Sequence, residues 1–418
     1  MQIKTTETLN SKNTSELNIK NLQSNNSTYI NYMKHPKSLL LPSALLMNAI
    51  FFSCAKETYT NRNPQFGNKV DTTVISPSSY IDKTINVGET VTNRPLSSQI
   101  FDCEGITRYA LLDEDKIFVF NWETGDIADS IPLGKVGTLN NYSGFTLHSP
   151  DSLFVYSYPN KMVYLLDEAG GIIKRWALGD YKEKCPDVEA INRTRIIVAG
   201  KTMIMSGAIM ADIQDSRVTD CTTTIALRHD TLVSPVGIME YPELYKKANW
   251  GGVYMNSVYH ADAGGGKVFF SFPIDHDVHC YDMSTGKISE FYMGSVYAEG
   301  IESCDDNFIE SFADRDSRVK YYLGQHSYGV ILFDKYRKRL IRIAEHPTDE
   351  LGKDGIFAKP FSVIVSDMNG KLLYESPIFH DALTYDLYNI HIVPEGLAIA
   401  IQDDKNENEI RYRCIEIK

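Results

Sequence analysis

The densest group of polar side chains in the sequence is Asp275-His276-Asp277-Val278-His279, which lies between two apolar segments. Carboxylate oxygens and imidazole nitrogens on one tight turn can converge on a divalent cation, and Asp275, His276 and Asp277 would form that metal site. The alternative is a solvated hairpin tip at which Asp and His side chains cap backbone amides. We favour the hairpin and keep the metal site as the second interpretation.

Aromatic residues crowd the stretch just before this group. Tyr245, Trp250, Tyr254 and Tyr259 occur there, followed directly by His260. Exposed aromatic rings can stack on sugar rings or anchor a protein partner, whereas aromatic residues near strands more often pack in the core. These five residues are the candidate ligand contacts of the chain.

Acidic residues form a third group between residues 295 and 317. Paired carboxylates there could serve glycoside cleavage, although an acidic insertion is more typical of a solvated loop. The chain has no Gly-x-Ser-x-Gly, His-Glu-x-x-His, Walker or Cys-x-x-Cys motif. The sequence therefore assigns no catalytic residue and no cofactor, and it favours a binding protein over an enzyme.

Composition excludes several classes of protein. The 418 residues are 43% hydrophobic and carry 42 Lys and Arg against 54 Asp and Glu, a net charge of −12. Such a chain can bury a core, which excludes wholesale disorder and a collagen-like design. The acidic balance argues against a nucleic-acid partner, because phosphate backbones are held by clustered Lys and Arg.

The charge is divided between a basic leader and an acidic body. Residues 1–53 hold five Lys and two Glu, a net of +3, which leaves −15 on the rest. Residues 1–32 lack an apolar period, and we interpret them as an untranslated or disordered extension, with Met33 as the initiator. Residues 33–53 join a basic stretch to an apolar run of about 14 residues, which is typical of a signal peptide and too short to span a bilayer.

The end of that run resembles the lipobox of bacterial lipoproteins. Phe51-Phe52-Ser53-Cys54 matches it at Ser53 and Cys54 and departs from it at the two Phe positions. The resemblance implies lipidation of Cys54, a membrane partner reached through that lipid, and an outer-membrane lipoprotein of the cell envelope, with the periplasmic or surface side left open. Residues 54–79 are rich in Asn, Pro, Ser and Thr and predict a flexible tether.

Residues 80–418 predict one all-β domain. Short apolar runs alternate with turns that hold Asp and Gly, as in Asp282-Met283-Ser284-Thr285-Gly286, and long helical periods are almost absent. The turns recur at intervals of about 45 to 84 residues, which is typical of β-propeller blades with four strands each. The six cysteines of this body follow no metal or redox spacing, and we expect mostly free, buried thiols.

Six blades account for the body, with seven as the alternative if residues 295–325 hide another. The first five are predicted at 96–133, 143–179, 188–242, 253–294 and 318–380. Residues 387–418 supply only three strands of the sixth blade. The fourth is expected from Thr84-Ile85-Asn86-Val87, so that strands from both ends of the chain close the ring and remove its open edges.

The body resembles the six-bladed propeller lipoproteins of Bacteroidota, a family of unknown function. The likeness rests on Cys54, Tyr328-Gly329-Val330-Ile331-Leu332-Phe333-Asp334, Phe361-Ser362-Val363-Ile364-Val365-Ser366-Asp367 and Val393-Pro394-Glu395-Gly396-Leu397. It implies the fold and brings no catalytic residues. We therefore predict a lipid-anchored propeller that binds a glycan, a peptide or an envelope protein or acts as a scaffold, the alternative being a propeller-type glycosidase or lyase.

Overall fold

The computed structural model describes residues 58–71, 80–133, 143–149, 152–178, 187–208, 222–231, 234–304, 315–349, 358–402 and 406–417. All described residues belong to one compact unit, Ala55–Lys418. Cys54 and the predicted leader, extension and signal peptide therefore lie outside the described residues.

Six antiparallel sheets form the blades of a β-propeller, which confirms the predicted fold class and the count of six. Two strands precede the first blade: β1 (Thr60–Arg62) and β2 (Tyr80–Asn86). Blade 1 consists of β3 (Ser98–Cys103), β4 (Ile106–Asp113), β5 (Lys116–Asn121) and β6 (Ile127–Pro132). Blade 2 consists of β7 (Gly144–Ser149), β8 (Ser152–Ser157), β9 (Met162–Leu166) and β10 (Ile172–Ala177). Blade 3 consists of β11 (Asp187–Glu189), β12 (Ile197–Ala199), β13 (Thr202–Ala208), β14 (Thr222–Arg228) and β15 (Val236–Glu240).

The second half of the ring repeats the pattern. Blade 4 consists of β16 (Tyr259–Asp262), β17 (Lys267–Ser271), β18 (Asp277–Asp282) and β19 (Lys287–Tyr292), and the short strand β20 (Gly300–Glu302) follows it. Blade 5 consists of β21 (Ser327–Asp334), β22 (Arg339–Glu345), β23 (Phe361–Ser366) and β24 (Leu372–Glu375). Blade 6 consists of β25 (Tyr385–Val393), β26 (Gly396–Ile401), β27 (Glu409–Glu416) and β2.

The ring is closed by strands from both ends of the body, as predicted. β2 pairs with β27 over seven residues, from Tyr80 opposite Ile415 to Asn86 opposite Glu409. This pairing supplies the outer strand that residues 387–418 lack. Because hydrogen-bonded partners then cover the outer side of β27, the last blade does not end on an unpaired edge there.

Turn chemistry places the hairpins. In the turn after β18, the Asp282 carboxylate accepts hydrogen bonds from the backbone amides of Ser284 (2.8 Å) and Thr285 (3.2 Å). Gly286 has a φ of +67°, a conformation that residues with a Cβ adopt only under strain. Asp and Gly at this spacing therefore define the turn from local sequence alone.

The core lies between neighbouring blades. All six residues of β23 are buried, on both faces of the strand. Each sheet is covered on two sides by its neighbours, so a strand in the middle of a blade has a continuous rather than an alternating apolar sequence. Burying one Val, Ile, Leu or Phe side chain in this way contributes roughly 1.5–3 kcal/mol.

Helices are short and lie outside the blades. In the described residues they are α1 (Leu244–Lys247), α2 (Arg315–Gly324) and the 3-10 turns Gly252–Tyr254 and Ala382–Thr384. α2 occupies the start of the stretch predicted as blade 5, so the first strand of that blade begins at Ser327 instead of near residue 318. Its Val319 and Leu323 are buried one helical turn apart, which is the period that distinguishes α2 from a strand. No helix within the described ranges is long and apolar enough to cross a membrane.

Part of the predicted tether docks on the propeller. β1 pairs with β20, and the buried Asn63 side chain donates hydrogen bonds to the carbonyls of Ser295 (2.6 Å) and Ala298 (2.7 Å). The composition of this segment resembles that of a flexible linker, because Asn and Pro are common in flexible linkers and in docked segments alike. The difference is that these polar side chains have partners more than 200 residues away in the chain, which no local pattern shows.

Candidate functional site

A break in the innermost strand of blade 3 places one loop across the centre of the ring. β11 and β12 both pair with β13, and residues 190–196 between them leave the sheet. We call residues 190–196 the plug. It forms hydrogen bonds to residues on the inner strands of blades 1, 2, 4 and 6, namely Ser98, Thr146, Tyr259 and His391.

Asn192 fixes the plug to blade 1. Its Oδ1 accepts hydrogen bonds from the Ser98 amide (2.5 Å) and hydroxyl (2.9 Å), and its Nδ2 donates one to the carbonyl of Pro95 (3.0 Å). Blade 2 makes room for the plug at Gly144, where a Cβ would lie 1.4 Å from the Ala190 carbonyl oxygen. The plug is therefore held by buried, paired polar groups on one side and by close backbone approach on the other.

Two cavities lie along the channel. The tyrosine cavity, about 440 Å³, lies where β16, β21 and β25 begin, and the arginine cavity, about 320 Å³, lies toward the ends of the same strands. The plug contributes Arg193 to the tyrosine cavity and Arg195 to the arginine cavity. It therefore separates two chemically different sites.

Aromatic rings dominate the tyrosine cavity. Its lining includes five tyrosines: Tyr254, Tyr259, Tyr322, Tyr385 and Tyr388. Tyr254 and Tyr322 stack on each other with ring centroids 5.4 Å apart. Tyr388 is 56% exposed, so much of its surface remains open to a ligand or to solvent.

Arg193 supplies the available cation of the tyrosine cavity. Its guanidinium lies 4.1 Å from the centre of the Tyr388 ring, and its Nη1 donates a hydrogen bond to the Tyr259 hydroxyl (3.3 Å). Its Nε has no hydrogen-bond partner among the described residues. Burial opposes the charge, but the pKa of Arg193 is raised because Tyr259, Tyr388 and Glu189 favour the cation.

Lys359 and Glu345 lie in the wall of this cavity, and both side chains form hydrogen bonds to other residues of the wall. The ammonium of Lys359 donates to the carbonyls of Tyr322 (3.2 Å) and Gln325 (2.6 Å) and to the Ser327 hydroxyl (2.7 Å). Burial lowers the pKa of Lys359 to about 8, against the opposing effect of Glu345. Glu345 Oε2 accepts hydrogen bonds from the Tyr322 and Ser327 hydroxyls (2.7 and 2.8 Å). Because all three Lys359 donors are used, this lysine holds the wall together and leaves ligand contact to Arg193.

Asp386 is the second carboxylate of the tyrosine cavity. Its Oδ1 accepts a hydrogen bond from the Tyr388 amide (2.9 Å), which fixes the start of β25. Burial raises the pKa of Asp386, and the nearby Arg94 and Arg193 oppose that shift. A partly buried carboxylate beside tyrosines and an arginine can accept hydrogen bonds from hydroxyl groups of a ligand.

The predicted aromatic contacts divide between cavities and core. Tyr254 and Tyr259 line the tyrosine cavity, whereas Tyr245 and Trp250 are 0% exposed. Their polar atoms are paired inside the core, Tyr245 with the Met255 carbonyl (2.6 Å) and Trp250 with the Leu244 carbonyl (3.1 Å). These two are therefore corrected to core residues, because full burial closes them to a ligand.

His260 lines the arginine cavity and not the tyrosine cavity. Its Nδ1 lies 2.6 Å from the Ser206 hydroxyl and its Nε2 lies 2.7 Å from the Arg195 carbonyl oxygen. Burial lowers the pKa of His260 to about 4. The imidazole is neutral at neutral pH; its Nε2 holds the plug at Arg195, and its Nδ1 contacts β13 at Ser206.

Asp275, His276 and Asp277 do not converge on a metal site. His276 bonds the Tyr328 hydroxyl (2.7 Å), whereas Asp275 accepts a hydrogen bond from His279 (3.0 Å), and no group of three potential ligands occurs among the residues described. Burial alone would raise the pKa of Asp275, but the bond from His279 lowers it. These residues instead form a turn whose carbonyls face a cation supplied by the chain itself, the guanidinium of Arg342.

Arg342 is enclosed by that turn. Its five donor contacts are the Ser271 hydroxyl (2.9 Å) and the carbonyls of Phe272 (3.2 Å), Asp275 (2.7 Å), His276 (3.2 Å) and Met293 (3.1 Å). Its guanidinium also lies 3.9 Å from the centre of the Tyr328 ring. The signal for it in the sequence is an arginine flanked by isoleucines in the middle of strand β22.

Sequence reasoning did not identify Arg193, Arg195, Tyr322, Tyr385 or Tyr388 as site residues. The available signal was Asn192-Arg193-Thr194-Arg195, two arginines at alternate positions in an otherwise acidic body. Alternate positions in extended chain project to opposite sides, and the structure assigns these two arginines to different cavities. Among the described cysteines, Cys280, Cys304 and Cys414 are buried and free and Cys103 is partly buried and free, as expected.

The fold and the channel define a six-bladed β-propeller with a plugged centre. The chain belongs to the family described as Domain of unknown function (DUF4221), and the family model matches residues 75–377. This confirms the resemblance to Bacteroidota propellers of unknown function.

Two solved structures are similar to this chain, and the first of them shows the same fold. A member of the DUF4221 family from Bacteroides vulgatus superimposes with a TM-score of 0.68 at 17% identity, over 83% of this chain and 99% of that one. A Bacteroides fragilis protein described only as a candidate exported protein gives a TM-score of 0.49 at 14% identity, over 85% of this chain and 98% of that one. No curated protein matches the chain.

Proposed function

We propose that this propeller is a binding protein of the cell envelope and that it holds a glycan unit in the tyrosine cavity. The observation that carries the proposal is the lining of that cavity, in which five tyrosines surround Arg193, whose Nε has no hydrogen-bond partner in the described part of the chain. Its volume of about 440 Å³ lies within the range of roughly 300–1,000 Å³ of small-molecule sites.

Sugars fit this lining better than purely apolar ligands do. A sugar ring has C–H faces that pack on an aromatic ring and hydroxyl groups that need hydrogen-bond partners. The exposed Tyr388 offers the ring, and Arg193 and Asp386 offer a donor and an acceptor beside it. A peptide or an envelope protein that inserts a polar side chain into the cavity would use the same contacts.

A propeller-type glycosidase or lyase is the second candidate. It is favoured by the presence of two carboxylates, Glu345 and Asp386, in one cavity, since glycoside cleavage commonly uses such a pair. Burial raises the pKa of Asp386, the direction that suits a proton donor. Glu345 already accepts two hydrogen bonds from the wall, and this favours binding over turnover.

Attachment to the membrane through Cys54 completes the proposal. The basic stretch, the apolar run and the Ser53-Cys54 pair support export followed by lipidation, which would keep the propeller at the outer membrane. The net charge of −12 supports an envelope partner over nucleic acid.

Glycan binding is tested by array screening followed by calorimetry on the best oligosaccharide. Tyr388→Ala and Arg193→Gln should each weaken binding about tenfold or more. The matched control is Tyr158→Ala, since Tyr158 is also an exposed tyrosine beside a cation, with Lys161 Nζ 3.7 Å from its ring centre, but lies outside the cavity. Absence of binding to every glycan, or equal loss in the control, would contradict the proposal.

Turnover of the bound oligosaccharide separates the two candidates. Incubation followed by mass analysis should show an unchanged sugar for a binding protein. Shortened products that disappear in Asp386→Asn would establish the enzyme instead.

A further inference from the structure

Two arginines inside the propeller, the fully buried Arg342 and the partly buried Arg195, differ in how many of their N–H donors have a hydrogen-bond partner. Burial lowers the pKa of both Arg342 and Arg195 to about 10. Arg342 directs its guanidinium to five acceptors, so its donors are fully used. Arg195 makes one hydrogen bond through its guanidinium, from Nη2 to His391 Nδ1 (2.9 Å). The first is a structural residue, and the second has donors left over.

The charge of Arg195 is not balanced by the described part of the chain. No carboxylate of the described residues forms a salt bridge with it, and its enclosed Nε has no hydrogen-bond partner there. The groups that favour its cation are the hydroxyls of Tyr109 and Tyr412, which are neutral at neutral pH. A cation that is partly removed from water and lacks a counter-charge is unfavourable, so proteins usually neutralise it with an anion.

The surroundings of Arg195 are polar and mostly neutral. Burial lowers the pKa values of His260 and His391, which leaves both imidazoles uncharged. The cavity also holds Lys335, which is paired with Asp102 (2.5 Å), and Asp262, which accepts a hydrogen bond from the Gly264 amide. Asp262 would repel an anion, but it is not among the groups that act on the charge of Arg195.

We propose that the arginine cavity is a second binding site of this protein, for the carboxylate or phosphate group of a small molecule, held by the outer end of the Arg195 guanidinium. Arg195 is only partly buried and lines the cavity, and its Nη1 has no partner in the described residues. The two terminal nitrogens of a guanidinium match the two oxygens of a carboxylate or phosphate. A volume of about 320 Å³ equals roughly ten water molecules at about 30 Å³ each, enough for a small acid.

The test uses inorganic phosphate and acetate as probes, titrated into the full chain by calorimetry at constant ionic strength. We expect one site, with affinity for at least one probe reduced tenfold or more in Arg195→Gln. Gln keeps a hydrogen-bond donor for His391 and removes the charge. Arg175→Gln, which changes an exposed arginine on the edge strand β10, should leave the affinity unchanged.

Arg193→Gln tells the two cavities apart. Phosphate binding that survives Arg193→Gln and fails in Arg195→Gln supports the proposal. Binding lost in Arg193→Gln alone would place the anion in the tyrosine cavity and overturn it, and so would absence of binding for both probes. Because glycan binding is measured separately, failure of either proposal leaves the other standing.

If Arg195→Gln does not fold, a crystal structure of the unchanged protein with a bound anion provides the second test. Crystals of the unchanged protein grown with selenate should show anomalous density within hydrogen-bond distance of Arg195. Density confined to surface lysines and arginines would overturn the proposal. Arg195→Gln itself should not lower the melting temperature without anion, since it removes an unbalanced buried charge.

Discussion

Replacing Arg342 by Met tests whether the turn after β17 is held by a guanidinium. The substitution keeps a long apolar side chain against Tyr328 and removes every donor. The carbonyls of Asp275 and Met293 then lose their donor, whereas the carbonyls of Phe272 and His276 still accept backbone hydrogen bonds and the Ser271 hydroxyl still donates to the Gly329 carbonyl. The turn also carries His276 and Asp275, so its loosening would disturb the contact between His276 and β1 at the Asn61 carbonyl (3.1 Å).

The magnitude follows from the number of acceptors. Each of the two carbonyls left unpaired costs about 1–3 kcal/mol, and each of the three hydrogen bonds lost at a group that keeps another partner costs about 0.5–1.5 kcal/mol, which gives roughly 3.5–10.5 kcal/mol in total. Removal of the charge offsets several kcal/mol of this sum, because the burial penalty of the cation disappears with it. We expect a net decrease of about 4 kcal/mol in the free energy of unfolding, a large share of the ~5–15 kcal/mol typical of a domain.

Urea unfolding followed by tyrosine and tryptophan fluorescence measures this change, with far-UV circular dichroism as the second probe. Arg342→Lys should lower the free energy of unfolding by less than Arg342→Met does, since an ammonium keeps the charge and three hydrogen-bond donors. Arg175→Met is the control, because this arginine is exposed and its replacement should change stability by no more than about 0.5 kcal/mol. A loss below about 1 kcal/mol in Arg342→Met would refute the reasoning.

Three further predictions concern the plug, the buried imidazoles and the lipid anchor. Asn192→Ala should lower the free energy of unfolding by about 1–3 kcal/mol, because the buried Ser98 amide loses its acceptor. The control is Asn160→Ala, which changes an exposed asparagine. Equal melting temperatures of the two variants would contradict the role of Asn192. Stability should fall as the pH is lowered from about 6.5 toward 5, because burial lowers the pKa of five histidines and the unfolded chain then binds more protons than the folded one: His260, His276, His326, His346 and His391. Carboxyls with raised pKa values, such as Glu375, act in the opposite sense, because the folded chain then binds more protons than the unfolded one. A melting temperature that is constant or rises between pH 6.5 and 5 would be inconsistent with neutral buried imidazoles. Cys54→Ala should move the protein from the membrane to the soluble envelope fraction, and unchanged partition would exclude the anchor.

The blades could be predicted from sequence because their signals are local. An Asp whose side chain caps a turn and a Gly with positive φ stand within five residues of each other, as at Asp282 and Gly286. Their recurrence sets the number of hairpins. Closure by β2 could be predicted as well, since blade 6 was one strand short and an unpaired edge is unfavourable.

The cavities could not be predicted because they depend on contacts between distant blades. Tyr254 and Trp250 are four residues apart and of similar chemistry, yet one lines a cavity and the other is completely buried. Residue type alone does not distinguish these two positions. The Asp275 turn shows the same limit. The sequence favoured a solvated hairpin tip with a metal site as the second interpretation, whereas the turn surrounds an arginine 67 residues away in the chain.

The contact between β1 and β20 has a mechanical consequence. A pull on the chain before Thr60 is carried first by three residue pairs, Thr60 to Arg62 against Glu302 to Gly300. The load then passes to the Asn63 side chain and to the bridge between Asp71 and Tyr374, and only after these contacts open does it reach the seven pairs between β2 and β27 that close the ring. Resistance to force is set by the rate at which the loaded contacts open. The pairing of β1 with β20 is therefore loaded before the closing strand β2, and it protects β2 from tension.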